Sequence, residues 1–369
     1  MSHTDPTKRH EFVLLFDVKS GNPNGDPDGG NLPRIDPQTM HGLVTDVALK
    51  RKVRDYIQMI HPDKSIFIQS KVALNKLIYD SFVEVGVEPL QATLSEVELE
   101  DQELLATLHG KSESGFLVEE VKLVFSGETI KLADIAKLLC TDIDEGNKEL
   151  IKKLKELAKR LGEAGKERKG KAITQETRDS ARDKLCEKYF DIRMFGAVLA
   201  TGLNAGQVRG PVQLTFARSI DPVFPMDISI TRQARTTAER MKTGTTEMGR
   251  KTLIPYGLYR AHGYFNPYLA KTTGVTQSDL EALWESLANL FGNFVSASSG
   301  ERSVQGLYVF THDNPKGNAP AHKLFELIRR PELIDKAKPP RDFSDYKVIA
   351  PPDGKLEAFP GVEIRNLCP

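Results

Sequence analysis

The first clear signal in the pattern of apolar and polar positions lies at residues 12–18, Phe-Val-Leu-Leu-Phe-Asp-Val. A short apolar run rich in β-branched and aromatic residues predicts a buried strand. Residues 20–37 then hold Gly21, Pro23, Gly25, Pro27, Gly29, Gly30, Pro33 and Pro37, which leave no room for a regular element. A helix is predicted to start near residues 43–45 and to stop at His61, because Pro62 blocks continuation. Projected at about 100° per residue, Leu49, Val53, Tyr56, Ile57 and Ile60 form its inner face. Lys50, Arg51 and Arg54 fall on the other, water-facing side, with Lys50 and Arg54 one turn apart.

Further along, residues 80–145 mix short apolar runs such as Phe116-Leu117-Val118 with charged, helical-looking stretches. Leu150, Leu154 and Leu157 recur at helical spacing, and residues 174–203 predict another helix-containing segment. Because composition shifts at both ends, residues 80–188 read as an inserted, mainly helical subdomain. Gly206 opens a turn before a strand at 212–217. Residues 229–255 are rich in Thr, Arg and Gly with few large apolar side chains, which predicts an exposed two-stranded projection or a mobile loop. A strand at 258–264 precedes an amphipathic helix at 277–294, capped by Ser278 and Asp279 and lined by Leu280, Leu283, Trp284, Leu287 and Leu290. Another strand follows at 306–310, and the proline-rich residues 336–369 are expected to run extended along the surface. The order strand, helix, strands, helix, strand places the chain in the α+β class. It is compatible with a ferredoxin-like β-α-β-β-α-β unit, whose sheet commonly serves RNA recognition.

Composition changes this picture little. The 369 residues are 39% hydrophobic and 28% charged, as in an ordinary globular protein of two or three domains. No apolar run approaches the roughly 20 residues needed to span a bilayer, and residues 1–11 carry no secretory apolar region. Cys140, Cys186 and Cys368 are widely spaced without CxxC pairing, which argues against a disulfide framework or a zinc site and for a reducing cytoplasm.

Charge matters more by its distribution than by its sum. Lys and Arg together number 51, as do Asp and Glu, and zero net charge weighs against a nucleic-acid binder. Yet residues 41–76, 148–188 and 229–260 are basic, whereas 80–145 are acidic. In the 229–260 stretch Arg232, Arg235, Arg240, Lys242, Arg250, Lys251 and Arg260 face only Glu239 and Glu247. Such a chain can present a basic track; mixed charge that merely keeps a surface soluble accounts for the pattern as well.

The loop at 20–34 and the helix after it form the most informative constellation. Glycines, Gly25 among them, let backbone N–H groups approach a phosphate, and Asn22, Asn24 and Asn31 offer side-chain amides beside Arg34. A helix start just beyond points its dipole at an anion, and Lys50, Arg51 and Arg54 add charge. A solvated turn and a solvated helix face explain the same residues. Asp26, Asp28 and Asp36 suggest a metal, but the glycine and terminal glutamate of a calcium loop are misplaced. The histidines show no HExxH-like spacing, and GxxxxGK[ST] is absent, so no metal, ATP or other cofactor is expected. Gly206-Gln207-Val208-Arg209-Gly210 is a second basic turn that either admits a nucleic-acid backbone or simply turns. Met241 and Met248, near the tip of the 229–260 projection, could wedge between bases or sit on a flexible loop.

The chain also resembles a known family. Residues 16–37 (Phe-Asp-Val-Lys-Ser-Gly-Asn-Pro-Asn-Gly-Asp-Pro-Asp-Gly-Gly-Asn-Leu-Pro-Arg-Ile-Asp-Pro) and 42–54 look like the Cas-seven backbone subunit of the type I-C CRISPR Cascade complex, in the RAMP superfamily. Asp-Ile-Arg-Met-Phe-Gly-Ala-Val (191–198), Gly-Gln-Val-Arg-Gly-Pro-Val-Gln (206–213), Ala-Arg-Ser-Ile-Asp-Pro (217–222) and Pro-Tyr-Gly-Leu-Tyr (255–259) extend the likeness, and residues 80–188 carry no motif of it. The resemblance implies an RRM-like palm (1–79, 189–228 and 255–335), a helical finger (80–188), a β-hairpin thumb (229–254) and an extended tail (336–369). It implies copies stacked head to tail along a CRISPR RNA (crRNA), leaving its bases free to pair with target DNA. Partners would include a Cas-five-type RNA-processing or cap subunit and a large subunit, with no membrane. The family's type I members are non-catalytic; a metal-dependent endoribonuclease using Asp26, Asp28 or Asp36 is the competing reading. Carried over by position, RNA contacts fall on Asn22, Asn24, Gly25, Arg34, Lys50, Arg51, Arg54, Gln207 and Arg209. Arg232 and Arg235 map to the thumb, with Met241 and Met248 as its base-kinking residues.

Overall fold

A computed structural model describes residues 2–368 apart from 71, 88–89, 128–130, 145, 168–172, 201–202, 234–245 and 294–295. The chain forms two compact units, one of residues 1–64 with 211–369 and the other Ser65–Gly210.

The first unit is built on one antiparallel sheet. Its elements in chain order are β1 (His10–Gly21), β2 (His41–Val44), α1 (Asp46–Ile60), β3 (Ala217–Pro222), β4 (Met226–Arg232), β5 (Glu247–Phe265), α2 (Gln277–Ala288), β6 (Glu301–His312), α3 (Ala321–Leu327) and β7 (Val362–Asn366). From one edge the strands run Gly354–Lys355, β7, β6, β1, β5, β3, β2. The central four strands, β6-β1-β5-β3, are all antiparallel, with α1 between β1 and β3 in sequence and α2 between β5 and β6. In register, His10 opposes Phe265 and Phe16 opposes Tyr259.

The apolar run of β1 is buried on both sides. Phe12 and Phe16 meet Trp284, Phe291 and Tyr259, with Phe16 stacked on Tyr259 at 5.3 Å. Val13 and Leu15 point the other way, into a cluster with Phe310, Leu324, Phe325, Ile328 and Ile364. Both faces of the central sheet are therefore covered. One of these faces is covered by α3 and the chain just beyond it, through Leu324, Phe325 and Ile328.

Some expectations are corrected. Residues 336–369 do not merely run along the surface. In β7, Val362 and Ile364 are buried and alternate with Glu363 and Arg365, so the segment extends the sheet beside β6. The 277–294 helix ends at Ala288, although Leu290 and Phe291 stay buried beyond it. Its cap is Thr276, whose hydroxyl accepts from the Asp279 N–H while Asp279 closes the capping box.

The second unit, Ser65–Gly210, holds helices and small antiparallel sheets. Lys122–Phe125 lies between Leu90–Thr93 and Phe116–Glu119. The sequence-acidic stretch docks on the basic helix Lys148–Glu167: Lys153 reaches Asp101 at 2.9 Å and Arg160 pairs with Glu98. The charge asymmetry of the insertion is thus neutralised in part within the unit. Asp191, buried, accepts from the N–H groups of Phe67 (2.7 Å) and Ile68 (3.1 Å). Replacing Asp191 with Ala orphans two donors and is expected to cost about 2 kcal/mol. Amide exchange at Phe67 and Ile68 should then quicken about 30-fold; unchanged protection would refute this role.

Candidate nucleic-acid interface

The loop after β1 is tied down at several points. Asn22 donates its backbone N–H to the Ser298 carbonyl at 2.9 Å and its Nδ2 to the Asn31 carbonyl at 2.7 Å. Asn24 Oδ1 accepts from the Thr45 N–H at 3.0 Å, and Thr45 in turn caps α1 through Ala48. Asn24 therefore fastens the loop to the helix start. A Cβ at Gly25 would collide with Oδ1 of Asn31, so a larger residue there would have to push the Asn31 side chain out of its place in the loop. Gly30 (φ +65°) and Asn31 (φ +62°) make the left-handed turn that brings Leu32–Pro33 back against Gly25–Asp26. With the end of β1 at Gly21 and the Ile35–Gly42 bridge, this two-residue pairing gives regular structure to a stretch expected to have none.

The aspartates serve the turn. The Asp26 carbonyl accepts from Gly29 and Asn31, and its carboxylate lies 3.4 Å from the Arg34 guanidinium. Asp36 accepts from the Gln38 N–H at 3.0 Å and meets Arg218 at 3.3 Å; these hydrogen bonds, the Gln38 N–H first, hold its carboxyl below the usual range. Among the described residues no group of three or more His, Cys, Asp or Glu side chains could hold a metal ion.

The basic helix departs from its projection. Arg51 stands out, its side chain 56% exposed and paired with Asp55 at 2.7 Å. Lys50 is only 15% exposed and pairs with Asp46 at 2.8 Å. Arg54, expected on the water-facing side, is buried, while Ile60, expected inside, is exposed at the helix end. The buried sector of α1 is broader on the flank of Lys50 and Arg54 than its apolar residues alone mark out. Ion pairs within one exposed helix are worth only about 0.3–0.5 kcal/mol, so Arg51 can exchange Asp55 for a phosphate at little cost.

Beyond the sheet, β4 pairs with residues 247–253 of β5 to form a two-stranded arm, from Met226 opposite Leu253 to Arg232 opposite Glu247. One side carries Asp227, Ser229, Thr231, Met248, Arg250 and Thr252, because directly opposed residues share a face. Thr252 donates to the Asn31 carbonyl at 2.7 Å, which seats the arm's base against the loop. Between them lies a cavity of about 450 Å³ lined by Gly29, Gly30, Asn31, Arg250, Lys251 and Ser298, among others. Two polar atoms close by, Arg34 Nε and Asn22 Oδ1, are buried without a hydrogen-bond partner. Lys251, together with Arg250, which pairs with Asp227 at 3.0 Å, gives the cavity a cationic lining that suits a phosphate–sugar unit. Lys251, Arg250 and Ser298 were not singled out as site residues; only strand register reveals that residues more than two hundred positions from Asn31 line its cavity.

Arg232 is exposed near the end of the arm, and Met248 is 76% exposed. Arg235 and Met241 lie outside the described residues. Gln207 and Arg209 belong to the second unit, on the strand Gly206–Arg209, where both are exposed and alternate with the buried Val208.

The 20–34 loop, α1 and the arm are thus carried on one α+β scaffold. The family model of CRISPR-associated protein Cas7 matches residues 8–123 and 126–350, and the chain belongs to that family. A CRISPR-associated protein Cas7 from Haloferax volcanii is 50% identical over 50 residues, a match spanning 14% of this chain and 15% of that relative. Among solved structures, a chain of a CRISPR RNA-guided surveillance complex in a pre-nicking state aligns with a TM-score of 0.45 and 14% identity, over 82% of this chain and 78% of the other. A second CRISPR RNA-guided surveillance complex gives a TM-score of 0.40 and 14% identity, over 86% and 80%.

Proposed function

We propose that the chain is a non-catalytic backbone subunit of a type I-C Cascade effector, several copies of which coat a crRNA in the cytoplasm and present its bases to target DNA. The observation that carries this reading is the cavity between the 20–34 loop and the arm, where Arg250 and Lys251 line the same space as the Gly29-Gly30-Asn31 turn. Within this reading the first unit is an RRM-like palm, an assignment supported by the strand order β6-β1-β5-β3 with helices after the first and third strands in sequence. The two-stranded arm is the thumb, and the exposed Met248 suits a wedge that kinks the guide. The second unit contains the finger (80–188), and Gln207 and Arg209, from the 189–228 stretch of the palm that clusters with this unit up to Gly210, offer further backbone contacts. Copies stack head to tail, and the Cas-five-type and large subunits complete the complex. Phosphates and sugars, not base edges, are gripped, so spacer sequence is left to base pairing.

Protein purified at low salt should retain RNA, raising its 260/280 nm absorbance ratio. Arg34→Ala and Lys251→Ala should each weaken guide binding about tenfold, equally for unrelated spacer sequences. The log–log salt slope should fall by about 0.7 per variant. Protein free of RNA, with both variants at wild-type affinity, would overturn the proposal. RNA cleavage with magnesium that Asp26→Asn abolishes would replace it with a nuclease.

A further inference from the structure

A second basic cleft lies on the first unit, sharing no lining residue with the loop cavity. It encloses about 630 Å³ against β3, β5 and the chain just beyond α3. Arg218 and Arg260 are directly opposed across the β3–β5 pair, an arrangement of like charges that ordinarily destabilises a sheet. Arg330 lines the same cleft; burial first, and then the Arg330 charge, disfavours the protonated form of Arg260. Three guanidinium groups thus converge, and only Arg218 has a carboxylate partner, Asp36 at 3.3 Å. Neither Arg260 nor Arg330 forms an ion pair among the described residues.

Neutral groups hold these arginines instead. Arg260 donates to His262 Nε2 (3.0 Å) and to the carbonyls of Ile328 (2.8 Å) and Phe325 (2.7 Å). His262 lies flat on Phe325 at 4.2 Å and must be neutral to accept. Burial first, then the Arg260 charge, pushes its pKa down to about 4. Three of the five guanidinium N–H groups of Arg260 are thereby fixed, and two remain. Arg330 is anchored by the Ile220 carbonyl, with His41 Nε2 at 3.3 Å. Charge gathered at such cost and oriented, with a counter-ion for only one of the three guanidinium groups, suits a doubly hydrogen-bonded oxyanion. At the rim Phe216 is 52% exposed, a flat apolar ring beside the charge.

We infer that this cleft is a second nucleic-acid site, binding one phosphodiester of a single strand on Arg218, Arg260 and Arg330 and stacking the adjoining base on Phe216. An acidic protein segment would satisfy the arginines but gives the exposed ring no partner, so the aromatic favours a nucleotide. The site does not depend on the guide-coating reading, because none of its residues lines the loop cavity.

The test is fluorescence polarisation of a labelled single-stranded DNA decamer on the full chain, purified with any retained RNA in place, at several salt concentrations. Arg330 and Phe216 are both exposed, so Arg330→Ala and Phe216→Ala should leave thermal stability unchanged. Arg330→Ala should weaken the decamer about tenfold and lower the salt slope by about 0.7. Phe216→Ala should weaken it at least about fivefold with the slope unchanged, since stacking releases no counter-ions. Arg34→Ala/Lys251→Ala should bind the decamer like the wild type while losing retained RNA. Wild-type affinity in either cleft variant overturns the inference. So does loss of binding in the loop variant, or displacement of the decamer by a glutamate decapeptide at equal concentration. Preparations free of RNA in which both cleft variants still weaken the decamer would defeat the guide-coating proposal and leave this site standing.

Discussion

Replacing Glu11 with Ala is expected to remove about 3 kcal/mol of stability from the sheet-bearing unit, because it leaves a buried donor unsatisfied and takes away the carboxylate that Arg9 pairs with. Glu11 and His312 are fully buried, and their contact is 2.5 Å between Oε2 and Nε2. Nδ1 of His312 accepts from the Asn318 N–H at 2.8 Å, so the imidazole proton sits on Nε2 and is donated to the carboxylate. The second carboxylate oxygen takes the Arg9 guanidinium at 2.5 Å. Deleting the carboxylate strands a buried imidazole N–H and frees Arg9, whereas Glu11→Gln keeps an acceptor in place and should cost less. Trp284 is the chain's single tryptophan and packs against His10 and Phe12 beside this pair, so its fluorescence in a urea titration reports on this unit. A loss below about 1 kcal/mol in the alanine variant would mean that the pair contributes only what an exposed one does.

The next largest effect is on pH dependence. His10 is buried, donates from Nε2 to the Asp5 carbonyl at 2.9 Å and meets Thr311 with Nδ1 at 3.1 Å. Burial, outweighing its polar contacts, lowers its pKa from 6.5 to about 4. In the unfolded chain the ring takes up a proton near pH 6.5, but in the folded chain only near 4. Between these values the unfolded state binds more protons, so stability rises with pH. The contribution is complete above pH 6.5 and is lost as pH falls toward 4, by roughly 3 kcal/mol in total. His262 acts in the same direction, but it is only half-buried and its share is smaller. His10→Gln removes this titration. The stability difference between wild type and variant should therefore shrink or reverse by up to that amount between pH 7 and pH 4, with carboxylate effects cancelling. A constant difference across that range would show that His10 is not held neutral.

Local chemistry made some elements easy to read. The Phe12–Val18 run and the helix stopping at His61 are marked by composition and by a proline stop; the helix appears at nearly those bounds, and the strand is longer at both ends, His10–Gly21. The helix at Gln277 overran in the sequence reading because Leu290 and Phe291 continue the apolar period after hydrogen bonding ends at Asn289. What pattern alone misses is coverage by distant chain. Arg54 has the spacing of a solvated residue and is buried, and the sheet face closed by Leu324, Phe325 and Ile364 carries no local mark of closure. The same holds for binding chemistry. The 20–34 loop is conspicuous in glycine and asparagine, but its cavity is completed by Arg250, Lys251 and Ser298, which only strand register brings near. Arg218 and Arg260 are likewise ordinary until they are seen to oppose each other.

The length of β5 has a mechanical consequence. Its nineteen residues run unbroken from the arm into the middle of the sheet, where residues 254–265 pair with β1. The base of the arm is therefore continuous with the β1–β5 ladder, which skips a rung only between Ser20 and Pro255; tilting the arm beyond that point would require breaking rungs of the ladder. Such an arm is a cantilever clamped in its own foundation. Its angle is set before any ligand arrives, so little ordering entropy is spent at its root when one binds. Repeated in every copy of the chain, the same fixed angle would act as a ruler.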